Sequence, residues 1–290
     1  MIQRTHPALR RPLVRAAVGL SPLFLWETLF FLLPMGILFV YSFWRMRDFR
    51  LETVLTLYNY AEIVRNPLLW RAFLLSLEIA VAVTLVCAVI AYPVAYFIAK
   101  RAGHWKTLCL VGVVIPFWTS FILRAYAWKL LLGEQGIINS GLLRLGLIET
   151  PLSGLLYSPT ATSIGLIYGF LPFMIMPLYT SIEKVQDSWL QAAEDLGASP
   201  WRAFREVTFP LCFPGLVVGA VFTFIFAVGE YVIPALLGGG KSLMVAQAIV
   251  LEFETEQNWP GGAALAIALL AIILAMLGAL LRWVRMEDVL

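Results

Sequence analysis

The sequence predicts an all-α polytopic membrane protein with six transmembrane helices, and three observations carry that expectation. Hydrophobic residues make up 61% of the 290 positions and charged residues only 13%, against roughly 45–50% and 25% in soluble domains. Six apolar runs, at residues 23–44, 73–99, 107–125, 161–182, 211–236 and 262–282, each approach or exceed the ~20 residues that an α-helix needs to cross the hydrocarbon. Between the fourth and fifth runs lies a charged island, residues 187–210, with helix signals of its own.

Taken in order, residues 1–22 form a basic tail carrying Arg4, Arg10, Arg11 and Arg15. The charge pattern is that of a secretory leader. The apolar run behind it is too long for a leader core, and no small-residue cleavage site follows, so it reads as a retained first span with its N-terminus inside. Residues 23–285 are then one transmembrane domain with both termini on the same side. Pro34, Pro93, Pro116, Pro172, Pro177 and Pro214 fall within spans and predict kinks whose freed carbonyls need partners. On the outside, residues 126–160 read as short helices separated by turns at Gly133, Gly136, Gly141, Gly146 and Pro151. Residues 237–261 contain Leu243–Glu252, apolar enough to fold back among the spans. With the N-terminus inside, the cytoplasmic segments hold just over half of the 21 basic residues. That bias has the sign of the positive-inside rule but is slight, because Arg45, Arg47 and Arg50 follow the first span directly.

Several classes are excluded. A net charge of +3 offers no footprint for nucleic acid. Cys87, Cys109 and Cys212 lie in or beside apolar runs without paired spacing and read as small hydrophobes. With His6 and His104 the only histidines, no histidine-built metal site is expected. Gly240-Lys241-Ser242 has the end of a phosphate-binding loop, but position 235 is Ala where that pattern needs Gly, and no strand precedes it. No catalytic grouping or metal-ligand cluster remains, so the chain is read as a transport subunit and not an enzyme.

The island has consistent local rules. Ser188 and Gln191 read as a capping box opening a short helix, and Gly197 as its left-handed stop. Ser199-Pro200 restarts a helix with a cap and a proline at its first position, and Pro210 and Pro214 mark the return to the membrane. A folded loop on a membrane surface implies a docking partner.

Gln191-Ala192-Ala193, then Glu194-Asp195-Leu196, Gly197, and at the end Val207-Thr208-Phe209-Pro210, resemble the signature of ABC importer permeases. The chain departs from it with Gln191 for Glu, and with Val207 and Phe209 for Ile and Leu; Gln191 keeps the capping acceptor and loses the charge. Pro116–Trp128, Gly229–Gly239 and Ala91–Tyr96 are similar to the spermidine/putrescine branch of that family. The resemblance covers residues 20–285 and implies a type I importer fold with a cytoplasmic coupling helix between spans 4 and 5. It also implies a second permease subunit, two cytoplasmic ATPase subunits and a periplasmic substrate-binding protein. ATP and Mg would be used by the ATPase, with no cofactor bound by this chain. The expected location is the bacterial inner membrane, amid lipid, with both termini cytoplasmic and a small cationic substrate.

Intramembrane charges and aromatics supply the candidate path. A carboxylate at membrane depth faces a bundle interior or cavity, which selects Glu230, beside Tyr231, and Glu78. The plainer readings pair Glu230 with Arg124, and Glu78 with Arg71 two turns away. Trp118, Tyr126 and Trp128 read as a cation-attracting lining, or, for the latter two, as an interfacial belt. Glu27 is expected to snorkel to water. Glu252, Glu254 and Glu256 make the last outer loop acidic, either to concentrate a polyamine or as a solvated face. Alternatives are the same importer class with another solute (an opine, an aminoalkylphosphonate or ferric iron) and an ion-driven secondary transporter. The latter requires inverted repeats and midplane ion sites that the sequence lacks.

Overall fold

The computed structural model describes residues 20–283. The basic tail with Arg4, Arg10, Arg11 and Arg15, together with His6 and Arg285, lies outside the described residues. Among the described residues five helices are long and apolar enough to cross a membrane, and there are six spans if a bent pair is taken as one broken span. They are α1 (Leu20–Tyr41), α3 (Pro67–Lys100), the pair beginning with α4 (Gly103–Trp118), α7 (Pro159–Lys184), α9 (Pro200–Gly229) and α11 (Trp259–Trp283). The shorter helices are α2 (Tyr58–Arg65), α5 (Phe121–Leu132), α6 (Ile137–Arg144), α8 (Asp187–Asp195) and α10 (Val245–Glu254).

The core is the packing of α3, α7 and α9, and small residues let it form. Lipid supplies no hydrophobic drive for helix association, so close van der Waals contact must do so. On α3 the buried line is Ala80, Val83, Cys87, Ala91 and Ala95; on α9 it is Cys212, Gly215, Gly219, Thr223 and Ala227. Against these stripes α7 places Leu166, Met174, Leu178 and Ile182, all fully buried. The α7–α9 crossing is the tightest. A Cβ on Gly215 would lie 2.3 Å from Ser181 Oγ and 2.6 Å from the Pro177 carbonyl, and one on Gly219 would lie 2.8 Å from Met174 Sδ.

Two spans differ from the apolar runs that predicted them. The third run, 107–125, is not one helix: α4 ends in a 3₁₀ turn at Ile115–Trp118, and the chain leaves it at 92°. Pro116 interrupts the helical ladder, and Thr119 is extended, with ψ 151°. The fifth span runs from Pro200 to Gly229 instead of 211–236. Pro210 and Pro214 do not mark its start. They sit inside a helix that widens to a π turn over Phe204–Thr208 just ahead of Pro210, a distortion that accommodates a missing N–H. At the other end Glu230 turns extended, with ψ 131°, and closes the helix six residues before the apolar run ends.

The segments between the spans hold one element the sequence reading missed. Residues Arg45–Arg47 and Arg50–Glu52 form an antiparallel hairpin, with Arg47 opposite Arg50. Its turn residues are Asp48 (φ 49°) and Phe49 (φ 57°), so the left-handed conformations that usually announce themselves as Asn-Gly are here adopted without glycine. Segment 243–252 folds back as anticipated. Helix α10 buries Val245, Ala246 and Ala248, and the Val245 N–H donates to Ser76 Oγ of α3 at 2.7 Å. Cys87 and Cys212 are buried and Cys109 half-buried, all as free thiols.

The crossing yields a stability prediction. Gly215→Val should lower the melting temperature of the detergent-solubilised chain, at a cost of about 1–3 kcal/mol for overpacking. Gly36→Val, where an added Cβ meets nothing within 4 Å, should leave it unchanged.

Candidate coupling loop and translocation path

Helix α8 carries the loop. It begins at Asp187 with Gln186 as N-cap, and no side chain caps it. The expected capping box does not form. The helix starts two residues early, which puts Ser188 at the second helical position, its Oγ 3.4 Å from Gln186 Oε1. The acid at Asp187 supports the helix N-terminus through the dipole instead. The other two local expectations hold. Gly197 adopts φ 83°; the Ala198 N–H reaches the Ala193 carbonyl at 2.9 Å and the Gly197 N–H reaches Glu194 at 2.8 Å, a Schellman stop. Ser199 Oγ accepts the Arg202 N–H at 3.3 Å, and Arg202 holds both carboxylate oxygens of Glu206 at 3.0 and 3.1 Å.

No residue of α8 is buried. Gln191, Ala192, Glu194, Asp195 and Gly197 are exposed, Ala193 is half-buried, and Pro210 lies exposed on α9. Leu196 is 90% exposed and Trp201 70%. A rigid, capped loop that presents apolar side chains to water has the form of a docking surface.

At the opposite end of the bundle, the polar groups of the candidate path serve backbone breaks. Glu230 does not pair with Arg124. Its Oε1 accepts the Val232 N–H at 2.7 Å and the Ile233 N–H at 3.4 Å, capping the turn that follows α9. Arg124 donates from Nη1 to the Pro116 carbonyl at 2.6 Å, and Thr119 Oγ1 donates to the same oxygen at 2.7 Å. With the Thr119 N–H at 3.4 Å, the carbonyl exposed by the break in the third span has three donors. The guanidinium also lies over the rings of Phe117 and Phe121, at 5.1 and 5.4 Å.

The aromatic residues do not converge as one lining. Trp118 is 80% exposed beside the break, Trp128 packs edge-on against Tyr168, and Tyr126 is exposed near Lys129. Tyr231 is exposed. Glu78 and Arg71 are both exposed, and no ion pair joins them among the described residues; seven residues along a helix separate them by about 10 Å of rise. Outside the spans, Glu252 accepts from Asn258 Nδ2 at 2.8 Å. Burial pushes its carboxyl above the usual range, and that hydrogen bond holds it back. Glu254 and Glu256 are exposed.

Two groups escaped the sequence reading. The first is a set of interlocked rings. Phe117 meets Phe173 edge-on at 5.1 Å, Phe173 meets Phe226 at 4.6 Å, and Phe170 lies 5.8 Å from Phe226. Phe117, Phe173, Phe222 and Phe226, with Met176, line an open cavity of about 450 Å³. The one-turn spacing of Phe222 and Phe226 on α9 was the available signal. The second is Lys100 and Lys106, whose partners Asp187 and Glu183 lie far along the chain.

A many-spanned helical bundle with a broken third span at one end and a bare helix with a glycine stop at the other is the architecture of a polytopic membrane protein. Over residues 21–284 the chain matches the family described as binding-protein-dependent transport system inner membrane component, and it belongs to that family. It is 40% identical over 253 residues to the spermidine/putrescine transport system permease protein PotB of Salmonella typhimurium strain LT2, covering 87% of this chain and 88% of that one. The PotB protein of Escherichia coli K12 is 39% identical (87% and 91% covered), and that of Haemophilus influenzae is 36% identical (90% of each). In fold it is similar to a chain of a bacterial alginate ABC transporter solved in complex with an alginate pentasaccharide-bound periplasmic protein. There the TM-score is 0.76 at 15% identity, covering 99% of both chains. The chain is a multi-pass permease of ABC-importer type.

The caps make a paired prediction. Ser199→Ala should destabilise the loop by about 1 kcal/mol, read as faster amide exchange over residues 200–206. Ser188→Ala should leave exchange in α8 unchanged.

Proposed function

We propose that this chain is one of two permease subunits of an ATP-driven importer that passes a polyamine of the spermidine/putrescine kind. The observation that carries the reading is identity of 36–40%, over 87–90% of the chain, to permeases named for that substrate. A periplasmic binding protein delivers the solute, and two cytoplasmic ATPase subunits use ATP and Mg. In this reading α8 is the cytoplasmic coupling helix, seated in a cleft of the ATPase, and both chain termini are cytoplasmic. ATP binding closes the ATPase pair, and the permeases tilt to open the path to one face and then the other.

The uncovered surface of α8, with Leu196 and Trp201 in water, supports that docking, and the Schellman stop at Gly197 makes the loop stiff enough to act as a lever. At the other end, Glu230 gives the path a carboxylate, and the Phe117–Phe173–Phe226 rings give it faces that attract a cation stripped of water. Trp118, Tyr126, Trp128 and Tyr231 offer further rings, and Glu78 a second carboxylate. Arg124 holds the break open.

The reading is tested by purifying the chain with its genomic neighbours and measuring ATP-dependent uptake of labelled spermidine and putrescine into proteoliposomes. Co-purification of an ATPase subunit, with uptake competed by polyamines and not by an opine or an aminoalkylphosphonate, is the expected result. Glu230→Gln should assemble normally, because the amide oxygen still caps Val232, yet import polyamine several-fold more slowly. Undiminished uptake would remove Glu230 from the path. Gly197→Pro should leave the complex hydrolysing ATP without proportionate uptake; an intact ratio of uptake to hydrolysis would refute the lever.

A further inference from the structure

The loop that carries α8 is joined to the membrane bundle in two different ways. On its C-terminal side the connection is covalent and rigid, since Pro200–Gly229 is a single continuous helix. On its N-terminal side only Val185 and Gln186 separate the end of α7 from the start of α8, and two lysines from elsewhere in the chain grip that link. Lys100, the last residue of α3, donates from Nζ to the Val185 carbonyl and, at 2.8 Å, to Asp187 Oδ1, the first residue of α8. Its side chain is only 13% exposed. Lys106, near the start of α4, pairs with Glu183 in the last turn of α7 and lies over the Tyr179 ring at 5.4 Å. Val185, between the two ties, is 2% exposed.

Both lysines flank the short turn between the second and third spans. The segment entering α8 is therefore fastened to that turn from both sides, by ammonium groups with carboxylates and a carbonyl as acceptors. Helix α4 leads from this turn to the break at Trp118, where Arg124 and Thr119 share the Pro116 carbonyl. We infer that Lys100 and Lys106 are positioning residues that hand a displacement of α8 to the second and third spans, so that the broken third span moves with the ATPase-facing helix. The inference rests on the reading of α8 as the coupling helix. Through its two chain connections alone the loop would drive the fourth and fifth spans; the lysine ties extend the drive to the second span and to the span that carries the break.

The test uses the complete transporter in proteoliposomes and reads solute imported per ATP hydrolysed. Lys106→Glu, which sets two carboxylates against each other, should leave ATP hydrolysis stimulated by loaded binding protein while import per ATP falls about tenfold, the scale of a typical coupling between sites. Adding Glu183→Lys, which restores the pair with its charges exchanged, should return the ratio to that of the wild type. Lys100→Gln should lower the ratio in the same direction. If the single variants keep the wild-type ratio, or if the exchanged pair assembles and stays uncoupled, the inference is overturned. Where Lys106→Glu fails to assemble, the neutral pair Lys106→Gln/Glu183→Gln decides: a lowered ratio supports the inference and a full ratio overturns it. A wild-type complex without ATP-driven uptake overturns the importer reading itself, an outcome distinct from coupled transport that ignores the lysines.

Discussion

Inside hydrocarbon every backbone N–H and C=O must find a partner within the protein, because an unsatisfied group costs several kcal/mol. The rest of this structure follows from where the chain breaks that continuity and what it supplies at each break. At Pro116 the helical ladder stops, and the freed carbonyl takes the Arg124 guanidinium and the Thr119 hydroxyl. After Gly229 the backbone opens, and Glu230 accepts the next N–H groups in line. Where α10 begins among the spans, Ser76 takes the first of its amides. Each of these polar side chains lies in an apolar context, and each belongs to an irregular piece of backbone.

The same constraint explains the composition of the core. With the backbone sealed into helices, contact between helices depends on approach distance, and the chain spends alanine, cysteine and glycine on the α3 and α9 stripes to achieve it. Large side chains are concentrated on α7, between those stripes. The α7–α9 crossing fixes the fifth span against the fourth, and because α9 starts at Pro200, it carries that rigidity to the end of the charged loop.

What was legible in the sequence was whatever local chemistry decides alone. Six apolar runs gave the spans because a run of that length has few other uses. Gly197 and Ser199-Pro200 were readable because a left-handed stop and a capped restart depend on adjacent residues. The misses had a common cause. In a run that is apolar throughout, hydropathy carries no phase, so neither the break after Trp118 nor the end of α9 at Gly229 interrupts the pattern. Pro210 reads as a boundary, but the π turn before it absorbs the defect. The hairpin at Arg45–Glu52 lacks the glycine that announces such turns. Glu230 was visible as an intramembrane carboxylate, yet its partners are backbone amides, which have no residue letter. Lys100 and Lys106 act across long stretches of chain, on Asp187 and Glu183, and only the fold brings those segments together. The resemblance of residues 191–210 to a permease signature is legible because that signature is defined by spacing along the chain.

The bareness of α8 has a consequence for how it keeps its shape. A nine-residue helix with no buried residue draws nothing from a core, and helices that short are marginal in water on their own. Its order comes from its two ends, the Lys100 tie at Asp187 and the Schellman stop at Gly197. A helix held in that way is a piece of backbone that can be displaced as a unit without repacking any interior.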